Sequence, residues 1–526
     1  MVTFIPSWAS VSSGEVSTDD LIGPIQALRA SQEAYQLLII DYLPNLRYFL
    51  HRFGLLESDY ISIFDQLQGF ENTFQTQLKL EDLSFPRTVQ YVYTPFSILV
   101  YDEELLIGEV IMGEGAHISE VKHFQNLEII SIDVYDDRGF LSSRKCFEMQ
   151  QHVYTEYLDK EGQCVFICFE EEGRCVVNTN NPTAHHLLRK HYESLEQLIF
   201  EQLEAELLRQ SSEEIIFSVQ EKNKVYISKS TFLQSMVLSY FDQRNLKTQE
   251  TAYLDRFLIS NAKSCMVDSE RLRDYLISLG DVGRKVHKVS PFDTRFNLSI
   301  SQEMKEEVLY MDTRHMKISE QKQLLKYSFD FICERMFQEE SRYFKVFIRV
   351  TPAQHQTLEL FYLGLIHDKF PEEVALIEEY GLDDEGENDL PDTFLGELKI
   401  RVNLVKRLLK SFEITAVWSD EKLFKILHET RLLIDLSPAP DLFTQIAGIS
   451  SGIPQINRVE TEYVQAAKNG IMVAAIEEVL PALTHYLDRL KYWQEARAFS
   501  VQQIKRYSGG ALCHKILSLL REEAHE

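Results

Sequence analysis

Apolar residues fall along this chain in three kinds of run, and each predicts a different element. Short unbroken runs occur at Phe4 to Trp8, Leu37 to Ile40, Ile215 to Val219, Cys265 to Val267, Val286 to Val289 and Val308 to Met311. Such runs fit strands of a parallel sheet covered on both faces. Runs with helical spacing occur at Leu46, Phe49, Leu50 and Phe53 behind Pro44, and over Tyr192 to Arg209. Lys229 to Tyr240 and Glu320 to Phe337 are likewise read as helices. Asp19 and Asp20 suit the N-cap of a helix through Ile25 and Leu28, and Gly54 suits a C-terminal cap. From Phe85 to Asn180 the pattern changes to short Val, Tyr, Phe and Ile runs. These are separated by turn sequences such as Asp136-Asp137-Arg138-Gly139 and Asp159-Lys160-Glu161-Gly162. A series of antiparallel hairpins is predicted there.

Past Tyr343 the α/β rhythm starts again, with strands at Lys345 to Val350, Ile414 to Trp418, Leu432 to Leu436, Pro454 to Ile456 and Ile471 to Val473. The acidic stretch Asp383 to Asp389 reads as a solvated loop, and Ile476 to Leu519 as mostly helical. The expected organisation is α/β: a pair of Rossmann-type domains with an antiparallel β-rich insert in the first. The boundaries are 1–84 and 181–340 for the first domain, 85–180 for the insert and 341–490 for the second domain. The helices of 491–526 are expected to pack back on the first domain. In such sheets ligands sit beyond the carboxyl ends of the strands.

The net charge of −27 repels phosphate backbones and anionic headgroups, so nucleic-acid and direct membrane binding are not expected. No apolar run approaches the roughly 20 residues of a membrane span, and the start has no basic region of a signal peptide. Seven cysteines without a C-x-x-C pair suggest reduced thiols and a cytoplasmic protein. His185, His186 and His191 lack the companions of a metal site.

The most informative segment is Leu432 to Ile456: strand, turn, helix, glycine stop, strand. A helix N-terminus offers free N–H groups and a positive dipole end to a diphosphate. This segment resembles the donor-binding part of GT-B glycosyltransferases, with Gly452-Ile453-Pro454 matching the step into the last strand. That family places two glutamates in an E-x7-E pattern. Counting back from Gly452, the two positions are Ala439 and Ala447. Methyl groups accept no hydrogen bonds, so donor hydroxyls there would be left unpaired. Arg349 is placed as one member of a basic pair on the diphosphate, but Gln354 stands five residues on where lysine is expected. Gly448-Ile449-Ser450-Ser451-Gly452 fits G-x-S-x-G, yet a helix precedes Ser450 and a strand follows, the reverse of a nucleophile elbow. Trp8 and Trp418, at predicted strand ends, are either core aromatics or sugar-stacking rings.

Longer strings carry a second resemblance. Phe4 to Trp8, Asp41 to Arg52, Ile63 to Gly69, Asp441 to Gln445 and Gly452 to Asn457 resemble the first accessory Sec system protein of Gram-positive cocci. The resemblance implies a GT-B-like fold without transferase activity. It also implies a complex with two other accessory secretion proteins, one acetyltransferase-like and one a small β protein. The complex would engage the accessory Sec motor ATPase and help export glycosylated serine-rich-repeat adhesins, with membrane contact only through partners. On this reading Trp8, Arg349, Trp418, Pro440, Gly452 and Pro454 line a retained carbohydrate-binding cleft. No catalytic residue, metal or cofactor is expected. The alternative is an active GT-B glycosyltransferase using a nucleotide sugar.

Overall fold

The computed structural model describes residues 1–8, 19–70, 78–245, 252–280, 282–295, 297–379, 396–416 and 419–521. It divides into two compact units. One runs from the N-terminus to Pro291 and takes in the chain from Leu512 onward; the other runs from Phe292 to Ala511.

The first unit holds a seven-stranded parallel sheet. Its strands are β1 (Val2–Ile5), β2 (Tyr35–Ile39), β3 (Tyr60–Ser62), β14 (Glu214–Ser218), β15 (Met236–Tyr240), β16 (Ser264–Val267) and β17 (Val286–Lys288). The spatial order is β17-β16-β15-β14-β1-β2-β3, so strand order reverses at β1. Its middle strands are buried along almost every residue, which explains why they read as unbroken apolar runs. Asp19 Oδ1 accepts the N–H groups of Leu21 and Ile22, capping the helix Ile22–Ala30 as expected.

Ten antiparallel strands, β4 to β13, follow one another between Gln90 and Tyr192 and form the expected insert as one sheet. Its outer part has a small core of its own, formed by residues such as Val100, Val110 and Val121. The insert is fastened at the turn between β8 (Glu128–Tyr135) and β9 (Leu141–Glu148). There Arg138 donates from Nε to Asp136 at 2.7 Å and from Nη2 to Asp65 at 2.9 Å. Arg47 donates to Asp137 at 2.6 Å and to Asp65 at 3.1 Å. Asp65 and Arg47 lie on the helices Ile63–Gln68 and Leu46–Arg52, so two guanidinium groups join the insert to the parallel sheet's layer.

The second unit holds a six-stranded parallel sheet of order β20-β19-β18-β21-β22-β23. The strands are β18 (Glu306–Asp312), β19 (Tyr343–Arg349), β20 (Phe412–Thr415), β21 (Thr430–Asp435), β22 (Gln455–Asn457) and β23 (Gly470–Met472). Gly470 occupies a crowded position. A Cβ there would meet Val464 Cγ1 and would lie 3.1 Å from the Gln455 carbonyl oxygen. Gly470→Ala is expected to cost about 1–3 kcal/mol through overpacking, read from the shift of the urea midpoint.

Four expectations change. Lys229 to Tyr240 is not one helix: Met236–Tyr240 is strand β15, held between β14 and β16. Its apolar residues fit helical spacing, but sheet pairing decides the conformation. The second unit begins before 341, because β18 pairs with β19 and β21 rather than with the first sheet. The C-terminal helices also separate. Leu490–Ile504 stays in the second unit, where Trp493 Nε1 donates to the Arg431 carbonyl at 2.7 Å. Gly509–Arg521 returns most of its length to the first unit, and Arg521 meets Glu214 at 2.9 Å. Finally, not all thiols are free. Cys168 and Cys175 face each other across β11 (Cys164–Phe169) and β12 (Cys175–Val177) and form a disulfide.

Candidate functional site

The strands of the second sheet are apolar until their last residues, and there they turn polar. Arg349 ends β19, Asp312 ends β18, Asp435 ends β21 and Asn457 ends β22. Register places Asp312 beside Arg349 and Asp435 beside Asn457. All four side chains are buried, at 3, 4, 1 and 0 % exposure for Asp312, Arg349, Asp435 and Asn457. A buried polar row at the carboxyl edge is where this architecture places its ligands.

Asp435 shapes the turn above it. Its two carboxylate oxygens accept the N–H groups of Ser437 at 2.9 Å and Asp441 at 3.0 Å. Burial, then the charge of Asp312, pushes the Asp435 carboxyl well above its ordinary range. The turn delivers Asp441 to the start of the helix Leu442–Ser450. Asp441 Oδ1 accepts the Phe443 N–H at 3.1 Å. Its Oδ2 accepts from Thr444 Oγ1 at 3.0 Å and from Arg314 Nη2 at 2.7 Å. Arg349 Nη1 lies 3.8 Å from the same oxygen. Arg314 also grips Asp312, from Nε at 3.0 Å and from Nη2 at 2.7 Å. Burial opposes the charge on Asp441, but Arg314 and Arg349 outweigh it and hold the carboxyl below its usual range.

A helix N-terminus with two guanidinium groups beside it is an anion site. Here the anion is the protein's own. Asp441 takes the capping position, and Asp312 takes the remaining face of Arg314. A diphosphate approaching this edge meets carboxylates already paired with the available cations.

The residues singled out from sequence are distributed as follows. Arg349 and Pro440 lie at this edge, Arg349 within the ion-pair cluster and Pro440 half-buried in the turn. Ala439 is exposed in that turn, whereas Ala447 is fully buried inside the helix. Gln354 closes a different helix: its Oε1 accepts the Thr351 N–H at 2.9 Å in a capping box of Pro352–Lys369. Gly452 and Pro454 do not belong to the edge. They are buried at the far end of the helix, where Gly452 adopts φ +70° to end it before β22. Trp8 is not an open stacking platform. Its ring is 1 % exposed and packs on Phe49 at 4.7 Å. Trp418 lies outside the described residues. Arg314, Asp312 and Asp435 escaped the sequence reading, although a charged residue directly after an apolar strand run was the available signal.

Two Rossmann-type units, with a helix dipole aimed at the carboxyl edge of the second sheet, place this chain in the GT-B glycosyltransferase fold. Solved structures agree. The pneumococcal O-GlcNAc transferase GtfA, in a complex with UDP and GlcNAc, matches with a TM-score of 0.63 and 10% identity, covering 99% of each chain. A crystal structure of accessory secretory proteins 1, 2 and 3 of Streptococcus pneumoniae matches with a TM-score of 0.77 and 27% identity, again covering 99% of each chain. The curated accessory Sec system protein of Streptococcus gordonii is 29% identical over 566 residues, covering 100% of both chains. The model of the accessory Sec system protein 1 family matches residues 3–523, and the chain belongs to that family.

Proposed function

We propose that this chain is a non-catalytic component of the accessory Sec export machinery, one that binds a glycosylated serine-rich-repeat adhesin and helps deliver it to the accessory Sec motor ATPase. The observation that carries the reading is Asp441. Its carboxylate caps the helix and pairs with Arg314 and Arg349, where a transferase needs these groups for a donor diphosphate. Alanine at 439 and 447 adds to this, since neither accepts a hydrogen bond from a donor sugar. Sugar recognition is assigned to the surface of the Ser437–Asp441 turn, where Pro438 and Ala439 are exposed and Pro440 is half-buried.

The working unit is a complex with two further accessory secretion proteins, acetyltransferase-like and small-β in type, as the three-protein pneumococcal neighbour suggests. It acts in the cytoplasm and reaches the membrane through its partners. No helix of the described residues is long and apolar enough to cross a bilayer, which fits that placement. The test is genetic. Deleting the gene should leave the adhesin glycosylated but retained inside the cell, as read on immunoblots of cell fractions. An adhesin that loses its glycans in the deletion strain would overturn the reading in favour of an active transferase.

A further inference from the structure

The first unit carries a pocket that the export reading does not use. It lies at the carboxyl ends of β15, β16 and β17 and beside the start of the helix Ile22–Ala30. Asp20, Ser239 and Asp268 supply its polar lining, and Pro24, Met266 and Pro291 its apolar lining. Counting its open mouth, it encloses about 210 Å³, and its base admits a group about the size of one water molecule.

The carboxylates around it are unequally served. Asp20 accepts from Ser218 at 3.0 Å, Ser239 at 2.5 Å and Arg244 at 2.8 Å. Asp19 holds the other arm of Arg244 at 2.7 Å. Asp242 is paired with Arg271 at 2.8 Å and accepts from Ser269 at 3.0 Å. Both nearby guanidinium groups are therefore committed elsewhere. Asp268 is 5 % exposed, and among the described residues its only hydrogen bond is from the Asp242 N–H to Oδ1 at 2.9 Å. Its second oxygen has no donor and no cation. Burial, then the charge of Asp242, pushes the Asp268 carboxyl up to about 7, as expected of a carboxylate that lacks a counter-charge.

We propose that this pocket binds a primary alkylammonium group, with the ammonium on Asp268 and the alkyl stem against Pro24, Met266 and Pro291. An ammonium supplies the missing cation and the missing donors together, and it fits a water-sized base that excludes a planar guanidinium. The apolar lining suits a methylene stem.

The test uses the full chain with 13C-methyl methionine. The expected result is a saturable shift of the Met266 methyl resonance on adding n-butylammonium, with no saturable shift from n-butanol. Asp268→Asn, which keeps an acceptor for the Asp242 N–H, should weaken the response at least tenfold. If that variant does not fold, the comparison of amine with alcohol on the native chain still decides. Two arms separate the sources of the amine. Comparable affinity for n-butylammonium and for N-acetyl-lysine methylamide points to a free amine, and at least tenfold tighter binding of the lysine derivative points to a polypeptide lysine. Equal shifts from alcohol and amine, no saturation, or an unchanged response in a folded Asp268→Asn would overturn the proposal.

Discussion

Asp441→Ala is expected to lower the unfolding free energy of the second unit by about 3–5 kcal/mol, the range for removing one partner of a buried ion pair. Three losses combine. The helix Leu442–Ser450 loses its side-chain cap, which alone is worth about 1 kcal/mol. Arg349, buried to 4 % exposure, loses a carboxylate 3.8 Å away, and Arg314 keeps only Asp312. Asp441→Asn separates these terms: its carbonyl oxygen still caps the helix, so the remaining deficit reports charge. The sign of the pH dependence follows from the depressed carboxyl of Asp441. A group whose folded pKa lies below its unfolded value of about 3.9 contributes its stability above that value. The contribution disappears as pH falls through the folded pKa. The gap between native chain and Asp441→Ala should therefore be full at pH 7 and shrink below about pH 4. Urea titrations followed by tryptophan fluorescence at both pH values check this. A deficit below 1 kcal/mol at pH 7 would mean that Asp441 is a surface cap and not the anion of the site.

Arg138→Ala should cost a similar amount, about 3–5 kcal/mol, in the first unit. Its guanidinium satisfies Asp136 and Asp65, donates to the Phe70 carbonyl at 3.1 Å and lies 5.2 Å from the Phe70 ring centroid. Asp136 and Arg138 are buried, and Arg47 alone would remain to serve Asp65, Asp136 and Asp137. Arg138→Lys should recover part of the loss only, because an ammonium does not reproduce the forked contacts to two carboxylates. Limited proteolysis should show faster cleavage in the insert for Arg138→Ala, since the ion-pair cluster fastens the insert at the turn after β8. Cleavage elsewhere with an intact insert would place the weak point outside this junction.

The sequence was most legible where one local rule governs. Strands buried on both faces, such as Ile215 to Val219 and Leu432 to Leu436, appear as unbroken apolar runs, and hairpin turns such as Asp159 to Gly162 announce the insert. Legibility failed where a distant partner decides. Met236 to Tyr240 has helical spacing but is claimed by two neighbouring strands. Val308 to Met311 reads as a strand in either unit, and only its pairing with Tyr343–Arg349 assigns it to the second. The same holds for the site. The missing glutamates at Ala439 and Ala447 follow from counting within one segment. The neutralised cations do not, because Arg314 meets Asp441 across 127 residues. Gly452 and Pro454 stood in the right segment but at the wrong end of its helix.

The central claim is that the second unit keeps the glycosyltransferase fold while its own carboxylate fills the anion site. Calorimetric titration tests it most directly, with UDP-N-acetylglucosamine and a serine-rich peptide carrying N-acetylglucosamine added to the native chain in the same buffer. The predicted result is saturable binding of the glycopeptide and no binding heat from the nucleotide sugar. Tight, saturable binding of UDP-N-acetylglucosamine, with transfer of the sugar to peptide, would contradict it.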